Sequence, residues 1–251
     1  MRYFFKEGAA LAAGRVIELD PADLNHAYRA LRLRKGSTVV IANGRAAAFP
    51  WTVEEIGPGR GLVRLNGPPL PTAESPRQII LLQGLAKGEK MDQIIRQAVE
   101  LGVQQIIPVV TERSIARFSE SREAGRLQRW RNLVRAAAKQ CRRAALPDLS
   151  SVHDFNRVLD LLSGRMTVVP WEGEKKFGLD RLLKQPLGER EAVFLFIGPE
   201  GGFSPQEIAA LTAAGARTVH LGPRILRTET AAAVTIALIQ AAWGDLGVSS
   251  G

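Results

Sequence analysis

The chain has 251 residues, 45% of them hydrophobic and 24% charged, which is the composition of a globular protein able to bury one large core or two ordinary ones. Its 34 Lys and Arg against 25 Asp and Glu leave a formal charge of +9, which favours a polyanionic partner because neutralised phosphates release condensed counterions. The single cysteine, Cys141, excludes an intrachain disulfide or Cys-rich metal site and suits a reducing, cytoplasmic setting, and three scattered histidines offer no zinc-ligand spacing.

Taken in chain order, the signals before residue 67 are short and mostly β. Charges at Arg2, Lys6 and Glu7 stand where a signal peptide needs an apolar core. Asp20-Pro21-Ala22-Asp23 predicts an N-cap, an N1 proline and an acidic first turn, opening a short helix through about Leu31. Val39–Ala42 runs into Asn43-Gly44, which predicts a two-residue type I′ hairpin with Ala47–Ile56 returning. Gly61–Leu65 adds a strand. A small barrel with one helix packs these elements. The four prolines within Gly67–Pro76 can continue neither a helix nor a central strand, so the expected division is a first domain over 1–70, a linker over 71–76 and a second domain over 77–251.

Beyond the linker, strands and helices alternate. Ile79–Leu82 is a continuous apolar run, as a strand buried on both faces requires. Met91–Leu101 is helical, with Ile94, Ile95, Ala98 and Leu101 on one face and Gly102 at its stop. Ile106–Val110 reads as a strand and Leu127–Ala145 as a long helix. Met166–Val169, Ala192–Ile197 and Thr218–Leu221 are further strands. Ala231–Trp243, the most apolar stretch, is too short to cross a bilayer and predicts a buried helix. The alternation predicts an α/β domain with a mainly parallel sheet.

Three features carry chemistry. The first is Gly198-Pro199-Glu200-Gly201-Gly202, where a buried strand enters a glycine loop before a helix that Ser204, Pro205 and Glu207 open as a capping box. Glycines let backbone approach a ligand at the carboxyl end of a strand, although a tight turn alone would also use them. The loop is neither a P-loop nor the G-x-G-x-x-G of nicotinamide enzymes, which argues against a dinucleotide fold. The second feature is Leu221-Gly222-Pro223-Arg224-Ile225-Leu226-Arg227-Thr228-Glu229, where two arginines and a glutamate crowd a helix start. Thr228 as a plain N-cap and Glu229 as a dipole-compensating acid is the simpler alternative. The third is the basic stretch Glu112–Arg143, with ten Lys or Arg and three Asp or Glu. Leu127, Trp130, Val134, Ala137 and Cys141 make its buried stripe, and Arg131, Arg135, Lys139 and Arg142 are expected to face outward. No acid lies between Arg126 and Arg143 to pair with them, so the stretch reads as a phosphate-binding face.

The two glycine-loop motifs together resemble the RsmE-type 16S rRNA uridine-N3 methyltransferases of the SPOUT class, and the likeness spans nearly the whole chain. Also similar are His26-Ala27-Tyr28-Arg29-Ala30-Leu31-Arg32, Lys87-Gly88-Glu89-Lys90-Met91-Asp92, Glu100-Leu101-Gly102, Thr111-Glu112-Arg113-Ser114, and Gln140-Cys141-Arg142-Arg143 before Pro147. The resemblance implies a PUA-like RNA-binding barrel followed by a SPOUT-type, mainly parallel sheet with a C-terminal trefoil knot. It further implies a homodimer that uses S-adenosylmethionine, needs no metal and no membrane, and makes 3-methyluridine in 16S rRNA or the small ribosomal subunit. The position before Gln140, usually acidic in this family, is here Lys139.

On that resemblance, Trp171, Gly198, Glu200, Gly201, Leu221, Gly222, Leu226 and Arg227 are the cofactor-binding candidates. Arg227 is the candidate to stabilise the uridine N3 anion. Glu229 or Glu200 is the candidate proton acceptor, with water as the alternative. Arg2, His26, Arg29, Arg32, Arg113, Arg131, Arg135 and Arg143 are the candidate RNA contacts. The competing reading is a non-catalytic RNA-binding assembly factor that kept the fold. It accounts for the charge but not for two intact glycine loops.

Overall fold

The computed structural model describes residues 2–7, 14–114, 120–188 and 191–248. Part of the basic stretch, including Arg117, lies outside them. The chain forms two compact units, Met1–Glu74 with Ala138–Leu146, and Ser75–Ala137 with Pro147–Gly251. A single cut at the proline-rich segment therefore misses one exchange, because residues 138–146 join the first unit.

The first unit opens with β1 (Arg2–Phe5) and β2 (Val16–Glu18). Helix α1 (Pro21–Asn25) follows, with Pro21 at its start as expected, and continues into a π-helical turn, His26–Ala30. Then come β3 (Thr38–Ala42), β4 (Ala48–Gly57) and β5 (Arg60–Leu65). They make one mixed sheet of order β1-β3-β4-β5-β2, with β1 parallel to β3 and the other pairs antiparallel. Phe4, Leu24, Ile41, Trp51 and Val63 meet in its core. The Asn43-Gly44 hairpin is longer than its dipeptide suggests. Asn43 Oδ1 accepts from the N–H of Arg45 at 2.7 Å and of Ala47 at 3.1 Å, so a side-chain-closed loop of residues 43–47 replaces the two-residue turn.

The second unit begins with β6 (Ile79–Gly84), α2 (Lys90–Glu100) and β7 (Gln105–Val110). Helix α3 (Glu120–Cys141) ends four residues before the expected Ala145, because Arg142 takes a left-handed conformation at φ 63°. Two short strands, β8 (Asp148–Leu149) and β9 (His153–Asp154), had no periodic signal to announce them. The remaining elements are α4 (Phe155–Leu162), β10 (Met166–Pro170), α5 (Leu179–Leu183), β11 (Val193–Ile197), α6 (Pro205–Ala213), β12 (Arg217–Val219) and α7 (Thr228–Trp243). The sheet is parallel, of order β12-β10-β11-β6-β7-β8, with β9 also pairing β7. Every residue of β6 and β11 is buried, as their unbroken apolar runs require.

The expected capping box of α6 is present. The Glu207 N–H donates to Ser204 Oγ, and the Ser204 N–H donates to Glu207 Oε2. The expectation for the last helix needs correction. Helix α7 starts at Thr228 and is not fully buried, since Val234 and Leu238 are 37% and 44% exposed. Among the described residues no helix is long and apolar enough to cross a membrane, and no group of His, Cys, Asp or Glu is placed to hold a metal ion.

Candidate active site

Three loops leave the carboxyl ends of β10, β11 and β12, the edge at which parallel sheets place their ligands. Strand β10 lies between the other two. The glycine loop and the Leu221–Arg227 loop therefore follow next-but-one strands rather than neighbours, and the Trp171 turn comes up between them. The three loops bound two cavities. One, of about 400 Å³, is lined by Trp171, Glu174, His220, Leu221, Gly222 and Arg224 among others. The second, of about 500 Å³, is lined by Lys90, Gly198–Phe203, Arg227 and Thr228. Pro170, Glu172, Ile225, Leu226 and Ala231 line both, so the two are halves of one cleft. All eight cofactor-binding candidates, scattered between residues 171 and 227, line this cleft.

The approach of the loops depends on residues that the motifs did not single out. A Cβ on Gly84, at the end of β6, would lie 2.5 Å from the Pro199 nitrogen and 2.9 Å from the Gly198 carbonyl carbon, so only glycine lets the loop seat there. The available signal was a glycine closing a buried strand. Gly202 has φ +67°, and a Cβ there would press within 2.8 Å of Glu172 Oε1. Thr228 does not cap α7, whose N-cap is Arg227. Its hydroxyl donates instead to the Gly198 carbonyl at 2.7 Å. Gln83 Nε2 in turn donates to Thr228 Oγ1 at 3.1 Å and to the Gly84 carbonyl at 2.9 Å. Gln83 is fully buried and, among the described residues, its Oε1 has no partner, a situation that costs about 1–3 kcal/mol. An apolar residue would avoid that cost, so the amide's role is to tie the start of α7 to the glycine loop. The loop after β7 braces the other side. Glu112 N–H donates to Glu207 Oε1 at 2.8 Å, and Arg113 donates to the Gly201 carbonyl at 3.2 Å.

The acids of the site have separate fates. Burial is the largest single influence on Glu200 and works to raise its pKa. Hydrogen bonds from the Lys87 N–H, from its own N–H and from Lys90 outweigh it and hold the carboxyl below the usual range. Glu200 is thus an ionised, already engaged group of reduced basicity. Glu174 is also held low, first by the Lys176 N–H, then by the Phe177 N–H and, after a small opposing effect of burial, by the Thr218 hydroxyl, which fixes the turn behind Trp171. Glu229, the other candidate proton acceptor, does not line the cleft. Its Oε2 is buried in the first turn of α7 and, among the described residues, has no hydrogen-bond partner. Arg227 lines the cleft, and its side chain makes no capping bond.

The RNA-contact candidates divide between the two units. Arg2, His26, Arg29 and Arg32 are exposed on the first, and His26 lies edge-on to Phe4 rather than in the core. Arg113 and Arg131 are exposed on the second, where Arg135 is half-buried. Arg143 must be withdrawn. It is 2% exposed and pairs with Glu74, whose other oxygen accepts from the N–H groups of Ala144 and Ala145. Removing one partner of such a pair costs about 3–5 kcal/mol, so its role is to hold the first unit together. Lys139, expected to face outward, pairs with Asp23 and lies 5.6 Å from the Phe4 ring centre, while Arg129 pairs with Asp92. The absence of acids between Arg126 and Arg143 misled because partners come from other elements.

Comparison with known proteins bears on this geometry. The model of an RNA methyltransferase domain matches residues 73–240, and that of an RNA methyltransferase PUA domain matches residues 19–66. The ribosomal RNA small subunit methyltransferase E of Mycobacterium bovis is 32% identical over 234 residues, covering 90% of this chain and 86% of the relative. The Bacillus subtilis protein of the same name is 26% identical and covers 83% of each chain. The crystal structure of ribosomal RNA small subunit methyltransferase E from Neisseria gonorrhoeae bound to S-adenosyl methionine superposes with a TM-score of 0.88 at 31% identity, over 98% of this chain and 99% of that one.

Proposed function

The chain belongs to the ribosomal RNA small subunit methyltransferase E family, and from that membership we propose that it transfers a methyl group from S-adenosylmethionine to N3 of a uridine in 16S rRNA. The observation that carries this reading is the single cleft shared by the Trp171, Gly198–Gly202 and Leu221–Arg227 loops. Its size suits a nucleoside-sized ligand, and Gly84 and Gly202 leave backbone where side chains would otherwise intrude. Trp171, Gly198, Glu200, Gly201, Leu221, Gly222, Leu226 and Arg227 would hold the cofactor, which when bound supplies an electrophilic methyl group on a sulfonium.

Uridine N3 carries a proton that must leave for its lone pair to attack. Arg227, which lines the cleft, stabilises the negative charge that develops on the base. Glu200, already accepting from Lys87 and Lys90, positions that loop rather than receiving the proton. Glu229 compensates the α7 dipole from its first turn. The N3 proton therefore passes to water, and orientation of the base against the methyl group supplies much of the rate. Isothermal titration of the full chain with S-adenosylmethionine and its demethylated product tests the premise. Both should bind and release heat; the absence of binding by either would leave only an RNA-associated protein.

The chain acts as a homodimer. Helix α7 is apolar on nearly every face, the pattern of a helix covered on all sides, yet Val234 and Leu238 are exposed one turn apart on it. Ile225 at 86% exposure, Leu246 and Val248 are further exposed apolar residues of the same unit, and a second copy is the occupant the reading requires. Sedimentation equilibrium should return twice the chain mass, and Leu238→Arg should return the monomer; a monomeric wild type would end this part of the reading. A reducing, cytoplasmic setting suits the one cysteine.

A further inference from the structure

A cavity of the first unit adjoins the His26–Arg32 motif, whose Tyr28 and Arg29 line it. It measures about 550 Å³ and is lined by Lys6, Glu18, Asp20, Asn25, Tyr28 and Arg29, with the Gly57–Gly59 turn closing it. Tyr28 also forms one wall of a second cleft, of about 430 Å³, lined by Arg32, Arg34 and Lys35. One aromatic ring thus divides a chamber that could admit a nucleobase from a trough bearing three cations.

Three local irregularities border this arrangement. The helix after α1 widens into the π-helical turn His26–Ala30, which carries both Tyr28 and Arg29; such turns often mark functional positions. Arg32 sits at φ 48°, a conformation that costs a non-glycine residue energy and persists where neighbouring structure demands it. Asp20 occupies the N-cap position of α1 without accepting a capping bond, and its carboxylate pairs with Lys6 instead. Tyr28 remains 39% exposed, although a ring of that size is normally buried or partnered.

We propose that this chamber binds one unpaired guanine of an RNA strand, stacked on Tyr28, with the adjoining phosphate in the Arg32–Arg34–Lys35 trough. The proposal rests on the RNA-methyltransferase reading for the class of partner and adds the site and the base. Stacking on an aromatic side chain accepts any base, so the choice must come from the polar wall. Among the four bases only guanine presents two adjacent N–H donors, N1–H and N2–H, on its pairing edge, and a carboxylate accepts both in parallel. Glu18, exposed on β2 and lining the chamber, supplies that carboxylate. Adenine and cytosine set a ring-nitrogen acceptor beside their amino group, which a carboxylate repels. Uracil sets carbonyl oxygens on both sides of its N–H.

The test is fluorescence anisotropy of the full chain with labelled pentaribonucleotides UUGUU, UUAUU, UUCUU and UUUUU at fixed salt. UUGUU should bind about tenfold more tightly than the other three. Tyr28→Ala should weaken it by about tenfold or more while Tyr28→Phe retains it, and Glu18→Gln should bring UUGUU down to the level of the others. Arg34→Ala with Lys35→Ala should weaken all four equally and reduce the salt dependence. Equal affinity for the four strands, or a Tyr28→Ala protein that binds UUGUU like wild type, overturns the proposal. None of these readings depends on S-adenosylmethionine, so a failed calorimetric titration at the other site and a failed guanine preference here are separate results.

Discussion

Arg227→Ala should lower kcat for methyl transfer by about a hundredfold or more, the usual effect of removing a fixed charge that stabilises a developing anion. The position is favourable for such a test. Arg227 is the N-cap of α7, yet its side chain accepts no part in capping, so the helix start and its Thr228 bond to Gly198 survive the truncation. The melting temperature should therefore change little. S-adenosylmethionine affinity should fall much less than kcat, because only the Arg227 backbone, which the truncation leaves in place, is proposed to hold the donor, while the side chain's partner is the base. Arg227→Lys restores charge without the planar fork and should recover part of the rate. Measurement of single-turnover methyl transfer into small-subunit rRNA decides the matter; a rate within about twofold of wild type for Arg227→Ala removes this residue from catalysis.

Gly84→Ala should damage the cofactor site although Gly84 does not line the cleft. The added methyl meets the Pro199 nitrogen at 2.5 Å and the Gly198 carbonyl carbon at 2.9 Å, backbone atoms that no rotamer change can move. Strands β6 and β11 are paired residue by residue through Gln83 and Ile197, so the sheet resists sliding and the strain falls on the glycine loop. Overpacking of this kind costs about 1–3 kcal/mol of stability. S-adenosylmethionine affinity should fall by about tenfold or more, because Gly198, Glu200 and Gly201 leave their places together. Gly125→Ala in α3 is the control, since a Cβ there meets nothing within 4 Å and alanine suits a helix better than glycine. Unchanged calorimetric affinity for Gly84→Ala would show that the loop finds its place without the contact.

Much of this fold was legible before any coordinates. The unbroken apolar runs at Ile79–Leu82 and Ala192–Ile197 are what strands covered on both faces show, and Ser204-Pro205 with Glu207 is the signature of a helix start. These signals are local, carried by residues within one turn or one strand of each other. The site's loops were legible for the same reason, because each glycine cluster ends an apolar run. What could not be read was which loops meet. Strand β10 inserts between β11 and β12, bringing the Trp171 turn into the cleft, and no periodicity encodes strand order. Gln83 and Thr228 are 145 positions apart, and nothing near either in sequence marks the bond between them.

Sequence by itself determined the alternation of strands and helices, the capping of α6, the excess of positive charge and the two glycine loops. Tertiary structure alone decided which charges are available. Asp23, Asp92 and Glu74 pair with Lys139, Arg129 and Arg143 from elements remote in the chain, so part of an apparent phosphate-binding face is engaged in intramolecular ion pairs. The same holds for the acids of the site, since Glu200 lines the cleft and Glu229 does not, although both stand beside a glycine loop. The physical reason is common to both cases. A charged group's role depends on its distance to other charges and its access to water, and folding sets both through contacts between residues far apart in sequence.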